Sequence, residues 1–339
     1  MEGNQLSRPA LIEAMDVTKT FRIRGKSLGG KRWIKAVDEV SLRIEEGENL
    51  TIVGESGCGK STLGRLTLGL LRPSFGRILF QGEDIWKMSK KEFNHFRRNA
   101  QIIHQDPYST LNPVRTIYQS LSPPLLQHKV AKDDEEAQEE ASRLLSTVGL
   151  NPPTDFLERH PSRMSGGQMQ RVAIARAISI NPKYIMADEA VSMLDASLRL
   201  GVVDLLLNLQ KDIEMSYVFI THDLGIARYF AMKGGGKMAV MYLGKIVEIG
   251  EGEILIQQPL HPYTQILIEA TPIPDPELTR KREIPPLRSL EIPKLTEVPP
   301  GCRFHTRCPH SQKICEEKVP ELREVFSRNV ACHFAETFI

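Results

Sequence analysis

The sequence predicts an α/β fold with a central parallel β-sheet, and three segments carry this prediction. Residues 50–53 form a short apolar run that ends at a glycine-rich loop, and a helical segment follows over residues 61–71, closed by Pro73. Two further runs, residues 184–187 and 217–220, are continuously apolar. Continuous apolar character, as opposed to alternation, is typical of parallel strands that are covered on both faces. We therefore expect these two runs to be central parallel strands.

The composition describes an ordinary globular protein of about two domains. The chain has 339 residues, of which 41% are apolar and 25% are charged. A net charge of +2 argues neither for nor against binding to nucleic acid. Because nucleic-acid binders are usually more basic, or basic in one visible block, we expect no nucleic-acid partner.

The sequence carries no sign of a membrane span. No stretch reaches the roughly 18 uninterrupted apolar residues that would cross a bilayer. Residues 1–15 are polar and mixed, without the basic start and apolar core of a signal peptide. We expect the chain to stay in the cytosol and to reach a membrane only through a partner.

The glycine-rich loop, residues 54–62, matches the pattern G-x-x-x-x-G-K-[ST]. Glycines allow backbone N–H groups to turn inward around phosphate oxygens, and the following helix directs its positive end at the same anion. Lys60 would supply a mobile positive charge to the β- and γ-phosphates, and Ser61 a hydroxyl to Mg²⁺. Cys58 is interpreted as a tolerated small residue. The predicted ATP-binding loop comprises Gly54, Ser56, Gly57, Cys58, Gly59, Lys60, Ser61 and Thr62.

A second candidate anion site lies at residues 164–171, directly before a helical run over residues 172–180. Ser165 is a good N-cap, and the glycines after it expose the N–H groups of a helix start. Taken alone, the segment could be an ordinary Ser-Gly-Gly turn. It resembles the LSGGQ signature of ATP-binding-cassette ATPases, with Met164 in place of leucine. The residues that carry this resemblance are Ser165, Gly166, Gly167 and Gln168.

Other motifs of the same family follow in the family's order, and the resemblance covers residues 10 to 258 approximately. Asp188 and Glu189 end an apolar run as in a Walker B strand, which implies that Asp188 holds Mg²⁺ and Glu189 activates water. His222 resembles the switch histidine near the γ-phosphate, and Gln105 resembles the Q-loop glutamine that senses Mg²⁺. Asp195 resembles the D-loop aspartate. The catalytic set implied by the resemblance is Lys60, Gln105, Glu189 and His222.

The resemblance implies a P-loop NTPase fold with a RecA-like core, an antiparallel β subdomain and an α-helical signature subdomain. Phe21 lies where the family places an aromatic side chain that stacks on adenine, although it could instead be a core phenylalanine. The sequence departs from the family pattern at three points. Ala190 replaces a usual proline, Met193 replaces a usual alanine, and residues 234–237 form an added glycine turn.

The chain is predicted to divide into a nucleotide-binding domain, residues 1–258, and a C-terminal extension, residues 259–339. Residues 272–300 are rich in proline and are interpreted as an extended connector, which predicts that the nucleotide-binding domain binds ATP without the extension. Residues 260–264 and 301–304 resemble the extension found in ATP-binding subunits of dipeptide, oligopeptide and nickel importers, as do residues 108–113 after the Q-loop. Some members of that group import oligosaccharides.

This resemblance implies a subunit that powers solute import, with di- or oligopeptide as the first choice of solute. The implied partners are transmembrane permease subunits, a second identical or homologous cassette subunit and, indirectly, an extracellular solute-binding protein. The chain would then lie peripherally on the cytoplasmic face of the membrane. The other function considered is a non-transport cassette ATPase acting on nucleic acid or ribosomes, and a simple P-loop kinase is a third. The solute itself cannot be deduced from this chain, since other subunits recognise it.

Four of the five cysteines lie close together near the C-terminus, with the spacing C-x5-C-x6-C-x16-C. In a cytosolic chain, clustered cysteines favour metal binding over disulfides. The absence of a C-x2-C pair favours a [4Fe–4S] cluster over Zn²⁺, and unliganded or oxidised thiols are the remaining alternative. The nearby His305, His310 and His333 are interpreted as surface residues. The candidate ligands are Cys302, Cys308, Cys315 and Cys332.

Overall fold

The computed structural model describes residues 10–24, 31–271 and 286–338. In chain order its strands are β1 (Ile12–Arg24), β2 (Lys31–Ile44), β3 (Asn49–Val53), β4 (Phe75–Phe80), β5 (Glu83–Asp84), β6 (Ala100–Ile103), β7 (Tyr184–Asp188), β8 (Ser216–Thr221), β9 (Lys237–Tyr242), β10 (Lys245–Glu251), β11 (Arg323–Val325) and β12 (Arg328–Val330). Its α-helices are α1 (Lys60–Thr67), α2 (Lys90–Asn99), α3 (Ile117–Gln127), α4 (Asp134–Thr147), α5 (Thr154–Leu157), α6 (Gly166–Ile178), α7 (Ala196–Ile213), α8 (Leu224–Gly234), α9 (Gly252–Gln257), α10 (Pro262–Glu269) and α11 (Lys313–Glu317).

The core is an eight-stranded sheet in the order β11-β12-β10-β9-β3-β8-β7-β6. From β9 to β6 every neighbouring pair is parallel, and β10, β12 and β11 add antiparallel to the β9 edge. Every residue of β3, β7 and β8 is buried. The prediction that residues 184–187 and 217–220 are central parallel strands is therefore confirmed.

A second, four-stranded sheet is antiparallel and has the order β2-β1-β4-β5. It shares a hydrophobic core with α1 and with one face of the central sheet, where Val17, Leu63 and Ile52 meet. This is the antiparallel subdomain implied by the family resemblance. The phosphate-binding loop lies at the start of α1, so the packing of α1 in this core positions the loop.

Helices α3 to α6 pack together and onto the other side of the central sheet through a separate core that includes Leu121, Leu145 and Val172. Three of the described helices begin with a capping box. The side chains of Ser89, Thr116 and Ser165 each accept a hydrogen bond from the backbone N–H of the residue three positions later. The side chain of that later residue in turn accepts a hydrogen bond from the backbone N–H of the capping residue. The α/β fold with an α-helical signature subdomain is confirmed.

Helix α1 is shorter than the predicted segment over residues 61–71, because it begins at Lys60 and ends at Thr67. Gly69 follows in the left-handed region, with φ of 64°. There the N–H groups of Leu70 and Leu71 both turn back to the carbonyl of Arg65. A left-handed glycine of this kind is a common way to end a helix. The helix therefore ends before Gly69 and does not extend to Pro73.

The C-terminal part, residues 286–338, is called the tail below. Its hairpin β11–β12 extends the central sheet, because β12 pairs with β10 through Val330 and Glu248. Part of the predicted proline connector, residues 272–285, lies outside the described residues. Across the described ranges no helix is both long and apolar enough to cross a membrane.

Candidate active site

The phosphate-binding loop joins the buried strand β3 to α1, and its glycines permit a path that other residues would block. Gly59 has φ of 112°, and a Cβ atom there would lie 2.1 Å from the carbonyl oxygen of Ala36. Only glycine accommodates both the left-handed backbone and this contact. The loop thus packs directly against the backbone of the antiparallel sheet.

The loop holds its own lysine in place. The Nζ atom of Lys60 donates to the carbonyl oxygens of Gly54 at 2.7 Å and Glu55 at 3.1 Å, and Lys60 is buried. Burial raises the pKa of the Cys58 thiol, so this residue presents a neutral thiol 3.9 Å from the lysine. Lys60 is the cation that the loop sequence itself contains, and its ammonium group has three N–H donors.

Asp188 ends β7 beside this loop. Its Oδ1 atom accepts a 2.7 Å hydrogen bond from the Ser61 hydroxyl, and Arg65 lies 3.9 Å from its Oδ2 atom. A hydroxyl and a carboxylate are hard oxygen donors of the type that Mg²⁺ prefers, so this pair fits the ion. Burial lowers the pKa of the nearby His104, although the charge of Asp188 opposes the shift.

Two of the predicted catalytic side chains, Gln105 and His222, converge on the carboxylate of a third, Glu189. The Oε2 atom of Glu189 accepts a 2.9 Å hydrogen bond from Nε2 of Gln105, and its Oε1 atom lies 3.1 Å from Nδ1 of His222. Glu189 itself lies in the left-handed region, with φ of 49°, a conformation that is uncommon for non-glycine residues. A carboxylate oriented in this way can position and deprotonate water.

The family resemblance implies that Gln105 belongs both to the Mg²⁺ site and to the catalytic residues. Among the described residues it contacts Glu189 through its amide and makes no hydrogen bond to Ser61 or Asp188. In this conformation the glutamine therefore contacts the carboxylate of Glu189.

The signature segment forms the N-terminus of α6. The Ser165 hydroxyl accepts from the Gln168 N–H at 3.3 Å, and the Gln168 amide oxygen accepts from the Ser165 N–H at 3.1 Å. Ser165 is exposed and Gly167 is buried against Leu198. Within the described part of this chain, no hydrogen bond or ion pair links the signature to the phosphate-binding loop.

The remaining predicted positions are spread around this site. Phe21 lies on β1 opposite Ile34 and is half-buried, with the Lys19 ammonium 5.4 Å from its ring. Asp195 is exposed before α7 and makes no side-chain cap there. The two departures near it differ, since Ala190 is buried and Met193 is exposed.

Comparisons with known proteins agree over nearly the whole chain. A family model described as ABC transporter matches residues 37–192, and one described as oligopeptide/dipeptide transporter, C-terminal region, matches residues 247–315. The oligopeptide transport ATP-binding protein AppF of Bacillus subtilis is 42% identical over 330 residues, which cover 96% of this chain and 98% of AppF. The dipeptide transport ATP-binding protein DppF of Escherichia coli is 39% identical over 322 residues, covering 95% and 93%.

The chain belongs to the oligopeptide and dipeptide transport ATP-binding proteins of the ATP-binding-cassette family. Solved cassettes show the same fold. A dimer of the cassette MJ0796 in a post-hydrolysis state with ADP and phosphate has a TM-score of 0.61 at 29% identity, covering 71% of this chain and 98% of that one. The cbiO1 cassette of Clostridium perfringens also has a TM-score of 0.61, at 26% identity, covering 74% and 92%. ATP hydrolysis is therefore the activity of this cassette.

Sequence reasoning missed two residues that touch the phosphate-binding loop of the cassette. The Tyr263 hydroxyl accepts a 3.0 Å hydrogen bond from the Glu55 N–H, and Arg307 of the tail forms an ion pair with the Glu55 carboxylate at 2.9 Å. They lie 208 and 252 residues from Glu55 in sequence. No local pattern could have linked them to the loop.

The four tail cysteines line one cavity together with Phe304. All four are free thiols. Burial raises the pKa of Cys302 to about 11 and that of Cys332 to about 12, and each thiol is raised further by the other cysteines nearby. The fold thus gathers the predicted ligands in one place. In the described ranges, however, no group of three or more His, Cys, Asp or Glu side chains is arranged to hold a metal ion.

The histidines near these cysteines are not equally exposed. His310 is exposed, whereas His305 and His333 are half-buried, and all three line the cysteine cavity. All three histidines keep part of their surface exposed, so the structure does not contradict their interpretation as surface residues.

Proposed function

We propose that this cassette powers the import of di- or oligopeptides through a membrane transporter. The observation that carries the proposal is the match of residues 247–315 to the C-terminal region of oligopeptide/dipeptide transporters. This region lies outside the nucleotide motifs, so the match adds information that a general cassette would not give. Oligosaccharide and nickel are the other solutes of the group that the sequence resembles.

The test is solute-dependent ATP hydrolysis by the assembled transporter in proteoliposomes. The chain is reconstituted with its permease subunits, and the solute-binding protein is supplied with a labelled peptide, an oligosaccharide or Ni²⁺. We expect peptide alone to stimulate hydrolysis and to accumulate inside the vesicles, with a Glu189→Gln complex as the inactive control. Uptake of oligosaccharide or Ni²⁺ without uptake of peptide would overturn the proposal.

For catalysis we propose that Glu189 orients and deprotonates the attacking water, and that His222 and Gln105 hold its carboxylate. Lys60, the loop N–H groups and the start of α1 would bind the phosphates. Ser61 and Asp188 would hold Mg²⁺, which when bound neutralises phosphate charge. The half-buried Phe21 ring would stack on adenine. These roles are supported by the hydrogen bonds to Glu189 and by the contact between Ser61 and Asp188.

We also propose that the active unit contains two cassettes. Residues Ser165 to Gln168 and Asp195 would then complete the nucleotide site of the opposite subunit. Support comes from the exposure of Ser165 and from the absence, among the described residues, of a hydrogen bond or ion pair between the signature and the loop of the same chain. The partner cassette is either a second copy or a homologous chain.

Mixing two inactive variants distinguishes these partners. Lys60→Ala removes one half of a composite site, and Ser165→Arg removes the other half. Recovered hydrolysis in the mixture would show self-pairing. No recovery, with ATP-dependent dimers absent by light scattering, would count against self-pairing and favour a homologous chain as the partner.

The permease would place the chain peripherally on the cytoplasmic face of the membrane, with the solute-binding protein reached only indirectly. We propose that residues 1–258 form the nucleotide-binding domain and residues 259–339 the extension. This division is supported by the end of α9 at Gln257 and by the proline-rich composition that follows. The hairpin β11–β12 nevertheless joins the sheet of the first domain.

For the tail we propose that Cys302, Cys308, Cys315 and Cys332 ligate a [4Fe–4S] cluster, with Zn²⁺ as the alternative. Four thiols that line one cavity are suitable ligands for either group. Burial disfavours the thiolate form of these cysteines, but a positive metal centre would stabilise the thiolates that bind it. A small tail also gains stability from a metal link of this kind.

Metal content and colour after anaerobic purification test this proposal. A cluster predicts brown protein whose visible absorbance is lost in Cys308→Ser and kept in Cys58→Ser, the matched variant outside the tail. Colourless protein with one zinc ion per chain would favour Zn²⁺. Colourless, metal-free protein with titratable tail thiols would reject both.

A further inference from the structure

The phosphate-binding loop contains an acidic residue, Glu55, directly after Gly54. Its side chain is 21% exposed, and its carbonyl oxygen accepts a hydrogen bond from Lys60. A carboxylate beside a polyphosphate site repels the ligand, and partial burial strengthens that repulsion because water screens it less. The cassette therefore needs a cation to neutralise Glu55 without competing for the phosphates.

Arg307 of the tail supplies this cation. Its Nη1 atom donates to both carboxylate oxygens of Glu55, at 2.9 and 3.0 Å, and the Arg307 side chain is only 7% exposed. The guanidinium carbon lies 5.9 Å from the ring centroid of Tyr242 and 5.6 Å from that of Phe304. These rings flank the guanidinium, and its burial reduces the screening of the ion pair by water.

A second contact fixes the backbone of the same loop residue. The Glu55 N–H donates to the hydroxyl of Tyr263, which is buried on α10. Phe304 packs against both Tyr242 and Tyr263, with ring centroids 5.3 Å apart in each case. The side chain of Glu55 is thus held from the tail, and its backbone is held from α10.

The tail segment that carries Arg307 is itself attached at its other end. Arg303 donates to the carboxylate of Asp38 and to the carbonyl of Leu243. Both arginines lie between Cys302 and Cys308, so this short segment connects the cysteine cavity with the nucleotide site.

We propose that Arg307 is a positioning residue for ATP binding, which acts by neutralising and orienting Glu55 of the phosphate-binding loop. The tail is then part of the nucleotide site, contrary to the expectation that the nucleotide-binding domain binds ATP without it. The proposal concerns ATP affinity alone and does not depend on which solute is transported.

Four full-length proteins test it by titration with a fluorescent ATP analogue: wild type, Arg307→Met, Glu55→Gln and the double variant. Arg307→Met leaves a lone carboxylate at the site and should weaken ATP binding about tenfold, with little change in kcat at saturating ATP. The double variant is neutral again and should return to within about twofold of wild type. Glu55→Gln alone should bind ATP at least as tightly as wild type.

Arg323→Met is the matched control, since this tail arginine pairs with Glu336 on the surface, and it should keep wild-type affinity. Thermal melting of every variant separates weak binding from unfolding. If Arg307→Met does not fold, the ATP affinity of Glu55→Gln still distinguishes the two explanations. An ion pair that only stabilises the loop structure predicts weaker ATP binding in Glu55→Gln, whereas the proposal predicts unchanged or tighter binding. Wild-type affinity in Arg307→Met, no rescue in the double variant, or a tenfold loss in Glu55→Gln would each overturn the proposal.

Discussion

His222 and Glu189 face each other across the carboxyl ends of two neighbouring parallel strands, with Nδ1 of the imidazole 3.1 Å from Oε1 of the carboxylate. Gln105 holds the other carboxylate oxygen at 2.9 Å. The carboxylate is thereby held from both sides. Such preorganisation lowers the cost of orienting a catalytic base in the transition state.

Glu189→Gln should lower ATP turnover by about 100-fold or more, because the amide cannot accept the proton of the attacking water. ATP affinity should stay within about twofold of wild type, since the amide keeps the size of the side chain. Steady-state hydrolysis and equilibrium ATP binding measure the two quantities. Glu135→Gln, an exposed change on α4, is the control, and near-wild-type turnover in Glu189→Gln would exclude the proposed role.

His222→Ala should reduce turnover by about tenfold or more, with ATP binding retained, because the Glu189 carboxylate loses one of its two partners. Since His222 acts through Glu189, the double variant His222→Ala/Glu189→Gln should be no slower than Glu189→Gln alone. Single-turnover kinetics on the three variants provide the measurement. Multiplicative losses in the double variant would show that His222 acts independently.

Gly59→Ala should disturb the phosphate-binding loop, since the new methyl group would meet the Ala36 carbonyl at 2.1 Å in a left-handed backbone. We expect stability to fall by about 3 kcal/mol and ATP affinity to fall about tenfold. Gly47→Ala is the matched control, because Gly47 also has positive φ but has open space around it, and it should cost about 1 kcal/mol. Denaturant unfolding and ATP titration measure both effects, and equal losses in the two variants would argue against a steric cause.

The free energy of unfolding should fall as the pH is lowered below about 6.5. His261 is buried, so its side chain takes up a proton far more readily in the unfolded chain than in the folded protein. Burial lowers the pKa of His261 to about 3. Between these two pH values the unfolded state binds one more proton than the folded state, so stability rises with pH at about 1.4 kcal/mol per pH unit.

The His261→Asn variant isolates this contribution to the pH dependence. In the folded protein, Nδ1 of His261 accepts a hydrogen bond from the Tyr263 N–H. The side-chain oxygen of asparagine can also accept this hydrogen bond, but asparagine does not titrate. The free energy of unfolding, measured in denaturant from pH 7 to pH 5, should therefore depend less steeply on pH in the variant. Identical slopes in the two proteins would contradict the assignment to His261.

The sequence by itself determined the features whose causes lie in adjacent residues. The apolar runs of β7 and β8, the glycines of the phosphate-binding loop and the Ser165 cap at α6 all follow from local chemistry. Backbone sterics, burial pattern and side-chain capping act over a few residues, and each of these features occurs in the structure where the sequence predicts it.

Only the tertiary structure decided which distant residues meet. Gln105 reaches Glu189 across 84 residues, and Arg307 reaches Glu55 across 252. The proline-rich connector suggested a detached tail, yet β12 adds to the central sheet beside β10. Such contacts depend on sheet order and on how the cores pack, which are properties of the whole chain that no local pattern encodes.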